Sequence, residues 1–478
     1  MGQGNGDMTD AKAEHARCGD RARQLVLCCL IALSGIKPAL ADTVRVTPVQ
    51  QTGMVTYITY VTQAGDTLYD IAVRYLRDAD SWRPLGRLNQ VTAPRRLPAG
   101  IHLRIPAALL RQDLLSAHVA AVHGNTEHAF RNGPFTPVVA STTIGEGDRI
   151  RTGSDGFVTL ELADGSHIGL PPQTLLEVGS LRQTALTGAT DRVFNLHHGE
   201  VDSEVTHAAK RDDRFQIRSP SAVAGVRGTR FRVDYDADRR ATKVEVLDGA
   251  VGVDPAHQPP AAPGVALQMA SQLLRAQFGN VTRDDQPSGE PVELLPAPTL
   301  RDPAKLQDGN DIVFNLEPQA GAHGWRVQIA RDADFLERIR DARTNGTQAR
   351  FDDLPDGSYF VGVSAFDDAG LEGDTRIYGF ERRRFDLNAS ALARAGTRDY
   401  EFRWYASAQG GETRFRFVLA NHPDLHDPLI DQTDTAANQL FVKDLPRGVY
   451  YWTVIAERFV QGRLYRTSSP VRSFTLAY

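Results

Sequence analysis

Residues able to do chemistry are few in this sequence, and most stand where chemistry is hard to build. The three cysteines, Cys18, Cys28 and Cys29, all fall within residues 1–41. If that segment is removed on export, the remainder has no thiol nucleophile, no disulfide and no cysteine-based metal site. Cysteine-dependent transpeptidases and peptidases are thereby excluded. His422 and His426, accompanied by Asp424 and Asp427, have the i,i+4 spacing of paired metal ligands. They fall in a connecting loop of an internal repeat, and the sister copy has Asp332 and Leu336 at the histidine positions. No metal is expected there. His197-His198 precede Gly199 and read as a solvated turn. HExxH, GxSxG and the phosphate loop GxxxxGK[ST] do not occur. Carboxylates are plentiful, but none stands out as a glycosidase pair. No catalytic residue and no cofactor is assigned, and a non-enzymatic protein is expected. One guanidinium pair remains. Arg227 and Arg230 flank Gly228-Thr229, and their forks suit carboxylates, which makes them a candidate anion or partner site. The plainer alternative is a tight turn into a strand, with Arg227 holding a neighbouring loop.

The elements that would position such groups follow from composition and pattern. At 478 residues the chain has room for about three globular units on the usual prior of one per ~150 residues. Net charge is only −5 and arginine is scattered, so the basic stripe that nucleic acid demands is missing. Residues 1–41 read as an export signal. Arg17, Arg21 and Arg23 form a positive flank, Leu25 to Ile36 an apolar run, and Ala39-Leu40-Ala41 a small-x-small cleavage site before Asp42. That run is well short of the ~20 residues that span a bilayer, and no later run approaches that length. The mature chain is therefore expected in the periplasm or cell envelope without a membrane span. Residues 42–56 read as a linker.

Residues 57–107 alternate, turn helical, and alternate again. Tyr57 to Thr62 form a strand, and Gln63-Ala64-Gly65-Asp66-Thr67 a turn with a helix cap. Leu68, Ile71, Ala72 and Tyr75 follow at helical spacing. Trp82, Leu85 and Leu88 mark a second short helix ending near Asn89. Leu97-Pro98-Ala99-Gly100 is a turn, and Ile101, Leu103 and Ile105 alternate as a closing strand. This βααβ segment resembles the LysM family through YVTQAGDTLYDIAVRY, the Trp82–Asn89 helix and LPAGIHLRIP. The resemblance implies binding of N-acetylglucosamine-containing chains, here peptidoglycan, in a shallow groove between two loops. Carried over, those loops are Gly65, Asp66, Thr67 and Leu68 on one side and Leu97, Pro98, Ala99 and Gly100 on the other. Backbone amides there would meet the N-acetyl groups. The same Asp66 and Thr67 also suit a helix cap. The Arg95-Arg96 pair beside the groove departs from the usual pattern.

From 116 to 255 the chain is a succession of short alternating strands with Gly/Asp turns, such as Phe157 to Leu162 before Asp164-Gly165-Ser166. Phe231, Val233 and Tyr235 face one way, and Arg230, Arg232 and Asp234 the other. A β-sandwich or β-roll is expected. The stretch resembles the FecR domain through five spaced markers, from Gly147-Asp148-Arg149-Ile150-Arg151-Thr152-Gly153 and His198-Gly199-Glu200-Val201 to Val226-Arg227-Gly228-Thr229-Arg230-Phe231 and Val246-Leu247-Asp248-Gly249. In iron-signalling relatives that domain relays a signal across the inner membrane. The relay needs a cytoplasmic domain and a membrane span, neither of which is read here.

Residues 256–296, opening with AHQPPAAPG, read as a connector. The remainder contains an internal repeat, 297–386 and 387–478. Trp325-Arg326-Val327-Gln328-Ile329-Ala330 aligns with Phe415-Arg416-Phe417-Val418-Leu419-Ala420, Phe335 and Asp341 with Leu425 and Asp431, and Leu354 to Tyr359 with Leu445 to Tyr450. Two tandem immunoglobulin- or fibronectin type III-like sandwiches are expected. The fold class is thus mainly β and multidomain. The leading expectation is a non-catalytic, peptidoglycan-bound periplasmic scaffold with an envelope protein as its other partner. The alternatives are a periplasmic sensor acting through the FecR-like domain with a separate membrane partner, and a wall hydrolase.

Overall fold

The computed structural model describes residues 56–207, 210, 212–257, 270–303, 306–407, 412–460 and 462–477. The segment 1–41 expected to be an export signal, with its three cysteines, nearly all of the expected 42–56 linker, and most of the Pro/Ala-rich run after Ala256 lie outside them. Among the described residues, no helix is long and apolar enough to cross a membrane.

The first module is a two-stranded antiparallel sheet, Tyr57–Val61 against His102–Pro106, with two helices between them in sequence. The helix Leu68–Tyr75 buries Leu68, Ile71 and Ala72, the face set by its 3.6-residue period. Thr67 is its N-cap and accepts a hydrogen bond from the Asp70 amide at 3.0 Å. Asp66 is occupied otherwise: it accepts from Tyr60 Oη at 2.8 Å and from the Gln63 amide at 2.7 Å. Burial and the Asp66 carboxylate push the Tyr60 hydroxyl up to about 12. The second helix, Trp82–Leu88, ends at Asn89, whose amide nitrogen donates to Leu85 O and Arg104 O while its oxygen accepts from the Arg104 amide. One asparagine therefore ties the helix end to the closing strand.

The module is fastened to the domain after it. The Arg77 amide donates to Leu109 O and the Arg111 amide to Tyr75 O. Leu186, from that second domain, packs on the module's core. The short strand Gln112–Leu114 then pairs with Arg182–Thr184.

Pairings join the strands from Gln112–Leu114 to Val292–Glu293 into one closed array, built as two long sheets around a single core. The sheets share the 16-residue strand Thr190–Val205. Its first half pairs with Leu175–Thr184 and runs parallel to Arg214–Arg218; its second half pairs with His167–Leu170 and Thr229–Asp236. The crossover lies at His198-Gly199, where Gly199 has φ +83° and a Cβ would stand 2.5 Å from Gln173 O. The connector expected over 256–296 is different in its described part. Gln272–Arg275 pairs with Ala250–Pro255, and Phe278–Arg283 with Ala241–Asp248. These strands bury polar Asn280 and Thr282 beside Leu274, so they lack the apolar alternation that would have marked them.

Two β-sandwiches complete the chain. The first sets a five-stranded sheet against the pair Ile312–Asn315 and Gln348–Phe351. The second sets Leu387–Ala393, Tyr400–Ala406 and Gln439–Val442 against a sheet centred on Thr413–Ala420 and Gly448–Val460. The aligned residues do the same work in each copy. Tyr359 Oη donates to Pro355 O at 3.0 Å and Tyr450 Oη to Pro446 O at 2.6 Å, the tyrosine corner of such sandwiches. Phe335 and Leu425 both adopt left-handed backbone, φ 58° and 60°. Arg326 grips Asp341, and Arg416 grips Asp431, across adjacent strands.

Candidate functional site

The two loops expected to hold glycan lie side by side, laced by backbone hydrogen bonds. The Leu68 amide donates to Pro94 O, Leu97 to Asp66 O and Gly100 to Thr62 O, at 2.9, 3.1 and 2.8 Å. Thr62 Oγ1 adds a bond to Pro98 O at 2.6 Å. The eight expected residues divide accordingly. Leu68 and Leu97 are core side chains and Asp66 is buried, and the amides of all three are spent inside the module. Gly65, Pro98, Ala99 and Gly100 are exposed and Thr67 is half-buried. The amides of Gly65, Thr67 and Ala99 make no hydrogen bond among the described residues, so these donors are left over. Arg95 and Arg96 are exposed on the same rim. The rim's chemistry is thus a few backbone donors and two guanidiniums on a rigid frame, with no general acid or nucleophile among them.

The aspartates and glycines of the central domain's markers build its turns. Asp148 accepts from the Gly145 amide at 2.7 Å, and Asp164 from the Ser166 amide at 3.1 Å. Gly228 has φ +95°, and a Cβ there would stand 2.7 Å from His207 Cα. The turn in Val226-Arg227-Gly228-Thr229 therefore needs glycine twice over. Arg227 and Arg230 are not brought together. Arg227 is half-buried, donates to Lys210 O at 2.8 Å and lines one cavity; Arg230 is exposed and lines another, with Asp202 and Arg338.

The family model for the LysM domain matches residues 60–106. The model described as FecR protein matches residues 148–252. The chain carries both domains. Among solved structures, a protein described as a candidate anti-sigma factor from Parabacteroides distasonis is 19% identical, over 30% of this chain and 58% of its own, with a TM-score of 0.23. This chain thus spans little more than half the length of that protein. The fibronectin(III)-like modules of Clostridium thermocellum CbhA are 16% identical over 37% of this chain and 90% of theirs, with a TM-score of 0.20. A two-domain fibronectin type III segment of chicken tenascin is 10% identical over 37% of this chain and 98% of its own, with a TM-score of 0.19. No curated protein matches. LysM and FecR domains are binding or signalling domains without catalytic function, and both occur in envelope-associated proteins.

A second constellation was missed by the sequence reading. The polar face of the FecR sheet is covered by the first sandwich, and charges meet there out of water. Arg326, 2% exposed, donates to Asp341, to Glu200 at 2.5 Å and to Glu372 at 2.8 Å. Arg232 donates to the carbonyls of Glu372 and Gly373, both at 3.1 Å, and Arg338 pairs with Asp202. Burial works against the Glu372 carboxylate, but Arg232 and Arg326 outweigh it and bring it down to about 2. Glu245 is the odd member. It is 2% exposed and, among the described residues, accepts one hydrogen bond, from the Glu372 amide at 3.3 Å. Burial pushes it up to about 8 despite Arg232. The pairs that cross from the FecR sheet to the sandwich, Glu200–Arg326, Arg232–Glu372 and Asp202–Arg338, lie more than a hundred residues apart in sequence, so no local pattern announces them.

His422 and His426 stack with ring centroids 3.9 Å apart in an exposed loop, and His426 bonds to Asp424. Among the described residues, no group of three His, Cys, Asp or Glu could hold a metal ion.

Proposed function

We propose that this protein is a non-catalytic scaffold of the periplasm, held on peptidoglycan by its LysM domain and presenting its β modules to an envelope partner. The observation that carries the reading is the exposed rim of the LysM loops, with unspent amide donors at Gly65, Thr67 and Ala99. N-acetyl carbonyls of the glycan accept from these donors, while Pro98 and Gly100 shape the groove wall. The frame is laced before glycan arrives, so little ordering entropy is spent on binding. One LysM domain binds weakly, so long residence on the wall needs a second contact or self-association to raise effective concentration. The fastening of LysM to the FecR domain supports a fixed geometry between anchor and display surface. Signalling through the FecR domain with a separate membrane partner is the second reading, favoured by the FecR match alone. Against it stands the first sandwich, which already covers the domain's charged sheet face.

The test is titration of N-acetylglucosamine oligomers into the full chain. Ala99→Pro removes one donor, worth about 1 kcal/mol or roughly fivefold in affinity, and Ala99→Ser keeps it. Equal affinities for all three would put the glycan elsewhere.

A further inference from the structure

One cavity, of about 390 Å3 in the FecR domain, has a chemistry of its own. Its basic groups are Arg192, His207, Lys210, Arg214 and Arg227, and its carboxylates only Asp164 and Asp213. Both carboxylates are engaged from within. Asp164 accepts from Arg192 at 2.5 Å, from Thr206 Oγ1 at 2.9 Å and from the Ser166 amide. Asp213 accepts from the Thr190 amide and hydroxyl and from the Lys210 amide. Their folded-state pKa values lie below the ordinary carboxylate range, because these donors outweigh burial. Arg214 is neutralised by Asp191 next to the cavity.

Donors are left over. The Lys210 ammonium makes no hydrogen bond or ion pair among the described residues, and Arg227 uses one N–H on Lys210 O. The backbone makes room for them. A Cβ on Gly188, φ +63°, would stand 2.2 Å from Lys210 Nζ, and one on Gly228 would strike His207. Two glycines thus let a lysine and a histidine lie over the cavity wall. A concave site whose carboxylates are already engaged, with cationic donors left over, fits a ligand rich in acceptors.

We propose that this cavity is an oxyanion site, taking a carboxylate- or phosphate-bearing ligand through Lys210, Arg227 and the outer N–H groups of Arg192. Arg230, on the other sheet, plays no part in it. The site is independent of the glycan groove.

The test is isothermal titration of the full chain with inorganic phosphate and, separately, with citrate, at ionic strength held constant with chloride. Saturable binding is expected for at least one probe, weakened tenfold or more by Lys210→Gln and Arg227→Gln and unchanged by Arg230→Gln. Lys210 is exposed and its ammonium makes no hydrogen bond or ion pair among the described residues, so its replacement keeps the proposal testable if Arg227→Gln fails to fold. Binding of phosphate alone assigns a phosphoryl ligand, and of citrate alone a carboxylate. Absence of saturable binding, or binding indifferent to Lys210→Gln, overturns the site.

Discussion

Replacing Glu245 with glutamine is a sharp probe of the buried charge cluster, because the change keeps the shape and removes only the titration. Glu245 is 2% exposed, and its one hydrogen bond among the described residues comes from a backbone amide at 3.3 Å. Arg232, Asp234, Lys243 and Glu372 surround it, and Lys243 is already bound to Asp234 at 2.8 Å. The carboxyl therefore keeps its proton up to about pH 8, against an ordinary 4.5. Between those values the folded state binds one more proton than the unfolded chain. Stability must then fall as pH rises, by about 1.4 kcal/mol per pH unit. From pH 5 to pH 8 the loss is about 4 kcal/mol, and the glutamine variant escapes it. The assay is urea unfolding of wild type and Glu245→Gln at pH 5, 6, 7 and 8, taking the transition that melts the FecR domain with the first sandwich. Other groups titrate alike in both proteins, so the gap between them isolates Glu245. The gap is expected to move by about 4 kcal/mol in favour of the variant. A gap constant within about 1 kcal/mol would show that Glu245 is solvated or paired, and the reasoning fails.

Other outcomes follow from the same contacts. Glu372, held down at about 2, contributes stability above pH 4.5 that is lost as pH falls toward 2, so Glu372→Gln should flatten the acid limb of the same urea series. Arg326→Ala removes the guanidinium shared by Asp341, Glu200 and Glu372 and should cost about 3–5 kcal/mol; Arg416→Ala breaks the corresponding exposed pair and should cost under about 1 kcal/mol. Tyr359→Phe and Tyr450→Phe each delete one hydroxyl bond to a proline carbonyl, a loss of about 1 kcal/mol read by thermal or urea unfolding.

The parts legible in sequence were those written in local spacing. Leu68, Ile71 and Ala72 declared a helix because three buried positions recur within one turn and a half. The repeat was legible because Arg326–Asp341 and Arg416–Asp431, and the two tyrosine corners, place the same residues at matching positions. The FecR markers were visible too, yet their glycines and aspartates build turns, which is why they name a fold and leave a ligand unnamed. What stayed hidden depends on a second layer. Arg232 and Asp234 alternate with Phe231 and Val233 as though facing water, and Glu245 sits between Val244 and Val246 in the same way. Only the first sandwich, folded over that sheet, turns those outward residues into an interior. The strands Gln272–Arg275 and Phe278–Arg283 were lost for a similar reason, since their inward residues include asparagine and threonine.

The proposed wall anchor is tested most directly by co-sedimentation of a protein comprising residues 42–478 with purified peptidoglycan, beside a version lacking residues 57–107. Binding by the intact protein that vanishes with the deletion is the expected result. Intact protein left in the supernatant, or a deletion that still pellets, would contradict the LysM domain as the anchor.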